Sequence, residues 1–102
     1  MASFRFSRRS LADLDSIAEY TVRTWGEVQA VRYVGQLEQA IKRLVDIPVL
    51  GRRCEHVRPG LWRIEQGSHV VFFRRAGDDV VICRILHYRM LPEYQSMDDA
   101  ED

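Results

Sequence analysis

Residues 67–90 read GSHVVFFRRAGDDVVICRILHYRM, and this stretch decides the fold. It holds two runs rich in β-branched and aromatic residues, Val70 to Phe73 and Val80 to Ile82, the second continuing through Ile85 and Leu86. A half-exposed antiparallel strand alternates apolar and polar residues, whereas these runs are apolar on consecutive positions. Both faces of the strands are therefore greasy, and helices laid on one side leave the other uncovered. In a chain of 102 residues such a face predicts a partner protein as its cover.

Moving upstream, Leu61 to Gln66 reads as a strand and Gly67-Ser68 as a two-residue hairpin turn with glycine first. That turn sets the register: Gln66 faces His69, Ile64 faces Val71, Arg63 faces Phe72 and Trp62 faces Phe73. The pleat then sorts the side chains. Trp62, Ile64, Val71 and Phe73 share an apolar face suited to helices; Arg63, Glu65, Val70, Phe72 and Arg74 share the other. This second face, an apolar centre with forked cations around it, suits an amphipathic helix or an added strand from an acidic, apolar partner segment. A third strand, Val80 to His87, completes a meander, and the uncertain length of the turn at Ala76 to Asp79 leaves the face of Arg84 open.

The first half of the chain is helical by periodicity. After a short strand, Ala2 to Phe6, Ser7 or Ser10 can cap a helix, with Asp13 and Asp15 near the positive end of its dipole. Leu11, Leu14, Ala18, Thr21 and Trp25 keep a helical spacing, and Gly26 ends the segment. Trp25 is expected to be a packing residue. A second helix from Glu27 to Val45 carries Ala30, Tyr33, Leu37, Ile41 and Leu44 on one stripe, with Pro48 and Gly51 marking its exit. So short a link makes an antiparallel helical hairpin. The fold class expected is α+β: an N-terminal strand, a helical hairpin, and a three-stranded antiparallel meander packed on it. One domain is expected over residues 1–97.

With 46% hydrophobic and 29% charged residues the chain is globular in composition. No apolar run reaches membrane-spanning length and no signal peptide opens it, so a cytoplasmic protein without membrane attachment is expected. The net charge of zero hides an asymmetry. Asp98, Asp99, Glu101 and Asp102 form an acidic tail, expected to be disordered, and residues 1–97 carry 15 basic against 11 acidic groups. Arg52, Arg53, Arg58, Arg63, Arg74, Arg75, Arg84 and Arg89 concentrate in the second half, where guanidinium forks suit carboxylates or phosphates. Cys54 and Cys83 form no C-x-x-C pair and read as reduced thiols. His56 stands without companion ligands, so no metal site is expected, and no motif implies a cofactor.

Five segments resemble the ParE toxins of the RelE/ParE superfamily in that family's order across residues 4–90: SRRSLADLDSIAEYT, TWGEVQAVRYVGQL, LVDIPVLGRRCEHVRPGLWR, GSHVVFFR and ICRILHYRM. The resemblance implies the toxin of a bacterial type II toxin-antitoxin system of the plasmid-stabilising kind. It also implies a ParD-like antitoxin with a ribbon-helix-helix DNA-binding dimer and a C-terminal segment that wraps the toxin, in a heterotetramer or larger assembly. DNA is then contacted only indirectly, through the antitoxin. The implied target is DNA gyrase, poisoned without bond-breaking chemistry by the toxin. Within this reading Arg63, Val70, Phe72, Arg74 and Arg84 are the antitoxin-binding candidates, with Phe72 as apolar anchor between flanking arginines.

The related RelE toxins cut messenger RNA on the ribosome, which is the alternative function. Glu65, on the same face as Arg63, would repel a phosphate there, and Lys42 is the chain's one lysine. His87, Tyr88, Arg89 and Tyr94 contain the chemical types for acid, base and phosphate clamp. Because the HYR word follows the last strand as in ParE toxins, these four are expected to contact the target rather than catalyse. No catalytic residue is expected. A third reading is a binding module that acts only with its antitoxin in operon autoregulation. His69, beside the hairpin turn, is expected to serve as a hydrogen-bonding residue.

Overall fold

A computed structural model describes residues 3–97; the acidic tail at 98–102 lies outside the described residues, as does Ala2 of the expected first strand. The elements in order are β1 (Phe4–Phe6), α1 (Arg8–Trp25), α2 (Glu27–Asp46), β2 (Arg52–Arg53), β3 (Trp62–Gln66), β4 (His69–Ala76), β5 (Asp79–His87) and a 3₁₀ turn at Pro92–Tyr94. They form an α+β fold: one five-stranded sheet, order β1-β5-β4-β3-β2, carrying the α1–α2 hairpin on one face. The meander is as expected, and two short strands extend it. β1 runs parallel to β5, with Phe4 beside Val80 and Phe6 beside Ile82, and β2 pairs with β3.

The β3–β4 register matches the hairpin reading at every pair, from Trp62 with Phe73 to Gln66 with His69. Gly67 makes this possible, because its φ of +58° lies in the left-handed region, and a Cβ there would meet the Tyr33 ring at 2.7 Å. Between β4 and β5 the register slips by one residue: Phe72 pairs with Arg84 but Phe73 pairs with Ile82, leaving Cys83 as the extra residue of a bulge. The turn preceding β5 is therefore not what fixes the face of Arg84; the bulge is.

α1 begins at Ser7, whose hydroxyl accepts from the Ser10 N–H at 3.0 Å. Gly26, at φ +94°, ends α1 and starts α2 at once. The core between helices and sheet holds Ile17, Leu37, Ile41 and Leu44 against Val71, Phe73, Val80, Ile82 and Ile85. The α2 stripe is therefore as expected, and the α1 stripe holds in its middle, where Thr21 is buried and Leu14 packs against the core. Its ends do not hold: Leu11 is 49% and Trp25 70% exposed, while Ile17, outside the expected stripe, is buried. The shift toward Ile17 goes with Asp13, which α1 turns toward the sheet.

The largest departure lies on the far face of the sheet. Val70 and Phe72 are buried there, against the chain's own Cys54, Val57, Leu61, Cys83, Leu86 and Met97. The loop after β2 and the strap that runs from the 3₁₀ turn to Met97 supply the cover that was expected from a partner. Arginines clip both segments down through backbone carbonyls. Arg58 donates to Gln95 O at 3.2 Å, Arg74 to Pro59 O at 2.6 Å, and Arg84 to Ser96 O at 2.9 Å. A carbonyl under a charged guanidinium makes a stronger bond than one under a neutral donor, which suits loops with little regular structure.

Candidate functional site

A groove of about 770 Å³ opens between α1, the start of α2 and the C-terminal end of β5. Ile17 and Ile85 form its floor, Tyr20, Thr21 and Trp25 its α1 wall, and His69, His87 and Met90 its sheet wall. Tyr20 is 59% exposed and Trp25 70%, so large aromatic surface stands bare at the rim. Val28 and Val31, both 75% exposed, continue the apolar surface past the hairpin tip. Trp25 is thus not the packing residue expected; it sits in the last turn of α1, where the chain turns away before the side chain can reach the core.

The groove's end is built by a hydrogen-bonded aromatic cluster. The Tyr33 hydroxyl lies 2.5 Å from His69 Nδ1, accepts from the Ser68 N–H at 3.0 Å, and lies 3.4 Å from Gln66 O. Burial pushes the Tyr33 phenol up, with the Ser68 bond opposing. Burial also lowers the His69 imidazole, the neighbouring His87 lowers it further, and Asp13 partly offsets both. The phenol and the imidazole, both drawn out of water, meet each other at the hairpin turn. His69 is the hydrogen-bonding residue that was expected, and it ties the hairpin turn to α2.

Asp13, though it lines the same groove, is already committed. Its carboxylate takes Arg84 in a fork, 2.7 Å to Nε and 2.9 Å to Nη2, and accepts the Ile85 N–H at 2.9 Å. β1 pairs β5 only as far as Ile82, so the next edge groups need other partners: Cys83 O accepts from the Ser7 hydroxyl, and Ile85 N–H finds Asp13. Arg84 is therefore held inside the fold, its side chain 12% exposed, rather than presented on the sheet face.

The remaining sequence candidates separate into three places. Arg63 is partly exposed on β3 and lies 3.6 Å from Glu65, which also meets Arg52 at 3.4 Å. Glu65 thus sets a carboxylate between the two guanidinium groups of this edge, the physical form of the repulsion read from sequence. Val70, Phe72 and Arg84 lie under or within the loop and strap, and reach a partner only if those segments lift; Arg74 is partly exposed, holding the Pro59 carbonyl. His87, Tyr88, Arg89 and Tyr94 remain at the opposite end of β5. The rings of His87 and Tyr88 are 4.6 Å apart; Arg89 stacks 5.6 Å from the Tyr88 centroid and donates to its hydroxyl at 3.2 Å. Tyr88 is 59% and Tyr94 82% exposed. His87 Nδ1 accepts the Arg89 backbone N–H at 3.2 Å, which leaves Nε2 as the ring's outward nitrogen.

Among the described residues no three His, Cys, Asp or Glu side chains gather as metal ligands, and no helix is long and apolar enough to cross a membrane. The groove was missed in the sequence because its residues come from both helices and both ends of a hairpin. The signal available was Tyr20, an aromatic lying off the α1 stripe.

The groove and its aromatic rim belong to a fold with known relatives. A solved structure described as the chromosomal ParDE toxin-antitoxin system from P. aeruginosa superposes with a TM-score of 0.72 at 30% identity, covering 85% of this chain and 96% of that one. Toxin ParE1 of Caulobacter vibrioides is 42% identical over 90 residues, 88% of this chain and 93% of its own length. Toxin ParE1 of Mycobacterium tuberculosis is 36% identical over 88 residues, 85% of this chain and 90% of its own. The family model for the ParE toxin of the type II toxin-antitoxin system parDE matches residues 4–92. With helical hairpin, sheet and nearly the whole length matched, this chain belongs to the ParE toxin family of type II toxin-antitoxin systems.

Proposed function

We propose that this toxin is neutralised by a ParD-like ribbon-helix-helix antitoxin whose C-terminal segment enters the groove between α1 and β5, and that it acts in the cytoplasm by binding DNA gyrase. The observation that carries the first part is the groove itself. It is lined by exposed aromatics, its one carboxylate is spent on Arg84, and burial disfavours the charged form of the histidine at its inner end. An apolar helix face with a few polar contacts fits such a surface, and aromatic anchors carry most of the energy in helix-in-groove recognition. The assembly is a hetero-oligomer, a heterotetramer or larger, because a ribbon-helix-helix dimer offers at least two toxin-binding tails.

The reading of the target as gyrase, contacted rather than cut, is supported by two features. Glu65 pairs with both Arg63 and Arg52, setting a carboxylate inside the cationic row where a phosphate would bind. His87, Tyr88 and Arg89 stack on one another and Tyr94 is exposed, an arrangement suited to protein contact. Supercoiling and DNA-cleavage assays with purified gyrase test it: cleaved DNA should accumulate only when both proteins are present, and antitoxin should abolish it. Site-specific cuts in messages on translating ribosomes, lost on changing His87 or Arg89, would favour the ribonuclease instead. Calorimetry tests the groove, where Trp25→Ala should weaken antitoxin binding by about tenfold or more.

A further inference from the structure

Two histidines stand side by side at the inner end of the groove, and the apolar contacts around them leave their polar chemistry unused. His69 and His87 are directly paired across β4 and β5, their rings edge to face with centroids 5.6 Å apart, and both line the groove. Each ring is fixed through Nδ1. His87 Nδ1 accepts the Arg89 backbone N–H, so the ring's own proton sits on Nε2. His69 Nδ1 meets the Tyr33 hydroxyl at 2.5 Å, against 3.4 Å from that hydroxyl to Gln66 O. With the phenol proton on the shorter contact, the His69 proton also sits on Nε2, and a charged ring carries one there as well. Two N–H donors therefore stand at one end of the groove, and among the described residues neither Nε2 has a hydrogen-bond partner.

The groups packed around the pair supply no acceptor. Asp13, reaching in from α1, is held by two guanidinium nitrogens of Arg84 and by the Ile85 N–H. Tyr33, from α2, has its hydroxyl engaged by His69 Nδ1 and the Ser68 N–H, and Arg89, beyond His87, is a cation lying against the Tyr88 ring. Burial and then the neighbouring His87 disfavour the charged form of His69, with Asp13 opposing them only in part. An anion beside the rings offsets both effects, whereas a neutral carbonyl accepts a hydrogen bond and offsets neither. We infer that the two Nε2–H groups form a receptor for one carboxylate, an aspartate or glutamate side chain of the antitoxin segment, an occupant that rests on the groove being that segment's seat. The floor of Ile17 and Ile85 and the aromatic rim then take the segment's apolar face, while the histidine pair fixes its register through a single charge. A lysine or arginine brought to the same place would set donors against donors, so the pair also rejects a mismatched segment.

Two small probes test it on the full chain, with the imidazole NMR signals as the readout: hydrocinnamate, a phenyl ring on a short carboxylate tail, and hydrocinnamamide, its uncharged isostere. The acid should bind about tenfold more tightly than the amide, the difference a charge-assisted contact supplies. It should also raise the pH at which His69 titrates, because a bound carboxylate favours the charged ring, and the amide should not. His87→Phe keeps the ring and removes its N–H, and should bring the acid down to the affinity of the amide. In the purified toxin–antitoxin complex His69 should already titrate as it does with the acid bound, and added acid should no longer move either histidine. Equal affinity for acid and amide, both moving the histidines, would leave the groove standing and overturn the carboxylate receptor. Failure of both probes to move the histidines would overturn the groove reading and this inference with it. A complex whose histidines still respond to the acid would overturn the antitoxin as occupant.

Discussion

Replacing Arg84 with alanine would leave Asp13 buried beside the Ile85 N–H with its main counter-charge gone. Removing one partner of such a pair leaves an uncompensated charge, and the side chains here are only 12% and 14% exposed, so a loss of about 3 kcal/mol is expected in urea unfolding. Arg84→Lys should recover only part, because an ammonium cannot grip both carboxylate oxygens as a fork does. Arg58, Arg74 and Arg75 also have a use inside the chain: Arg75, for example, donates to Leu50 O at 3.0 Å while lying over the Trp62 ring. Residue type was readable in the sequence, but the owner of each fork's acceptor was not, since a backbone carbonyl leaves no mark in the side-chain pattern. A second residue-scale expectation concerns His69. Its imidazole is lowered on folding, so the unfolded chain binds the extra proton first as pH falls below about 6.5. Stability should therefore be full above that pH and decline as pH drops toward the folded value. Thermal melts across this window should show the decline, and His69→Asn should flatten it.

The strap from the 3₁₀ turn to Met97 does for the sheet's far face what the helices do for the near one. Met97→Asp should therefore open the cluster of Val70, Phe72 and Leu86 and cost about 2 kcal/mol or more, with increased binding of a hydrophobic dye as the second readout. Trp25→Ala, by contrast, removes a side chain 70% exposed and should leave the melting temperature nearly unchanged. The β3–β4 hairpin was legible to the individual pair because Gly67-Ser68 admits one register and the pleat allots the faces. The α2 stripe was legible for the same reason, a strict period against a single core. The strap was not, because residues 91–97 have no period and only one buried anchor, Met97. The error about Phe72 followed directly: an apolar face was rightly seen, and its cover sat in a segment with no pattern to read. The place of Ile17 in the α1 stripe was hidden likewise, since Asp13 looked like a helix-dipole residue until the bare edge of β5 claimed it.

At the scale of the whole molecule, the family was readable because its segments are spread along the entire chain, whereas the groove was not, because it exists only after the hairpin is laid across the sheet. Its lining joins Tyr20 and Trp25 to His69 and Met90, far apart in sequence. The strand order carries a further consequence, for synthesis. β5 sits between β1 and β4, so the first strand made has no neighbour until the last is translated. A ribosome that has emitted only the residues before Asp79 has released two amphipathic helices and β2 to β4, but β1 has no strand to pair with and α1 lacks β5, the strand it packs on. Long-range pairing of this kind comes late and leaves the nascent chain exposed to proteases and chaperones. Arrested chains ending at residue 78 should be digested by a protease under conditions in which residues 1–97 resist it; equal resistance would show that the helical hairpin folds before its sheet. The poison thus comes into being all at once, at the end of its own translation.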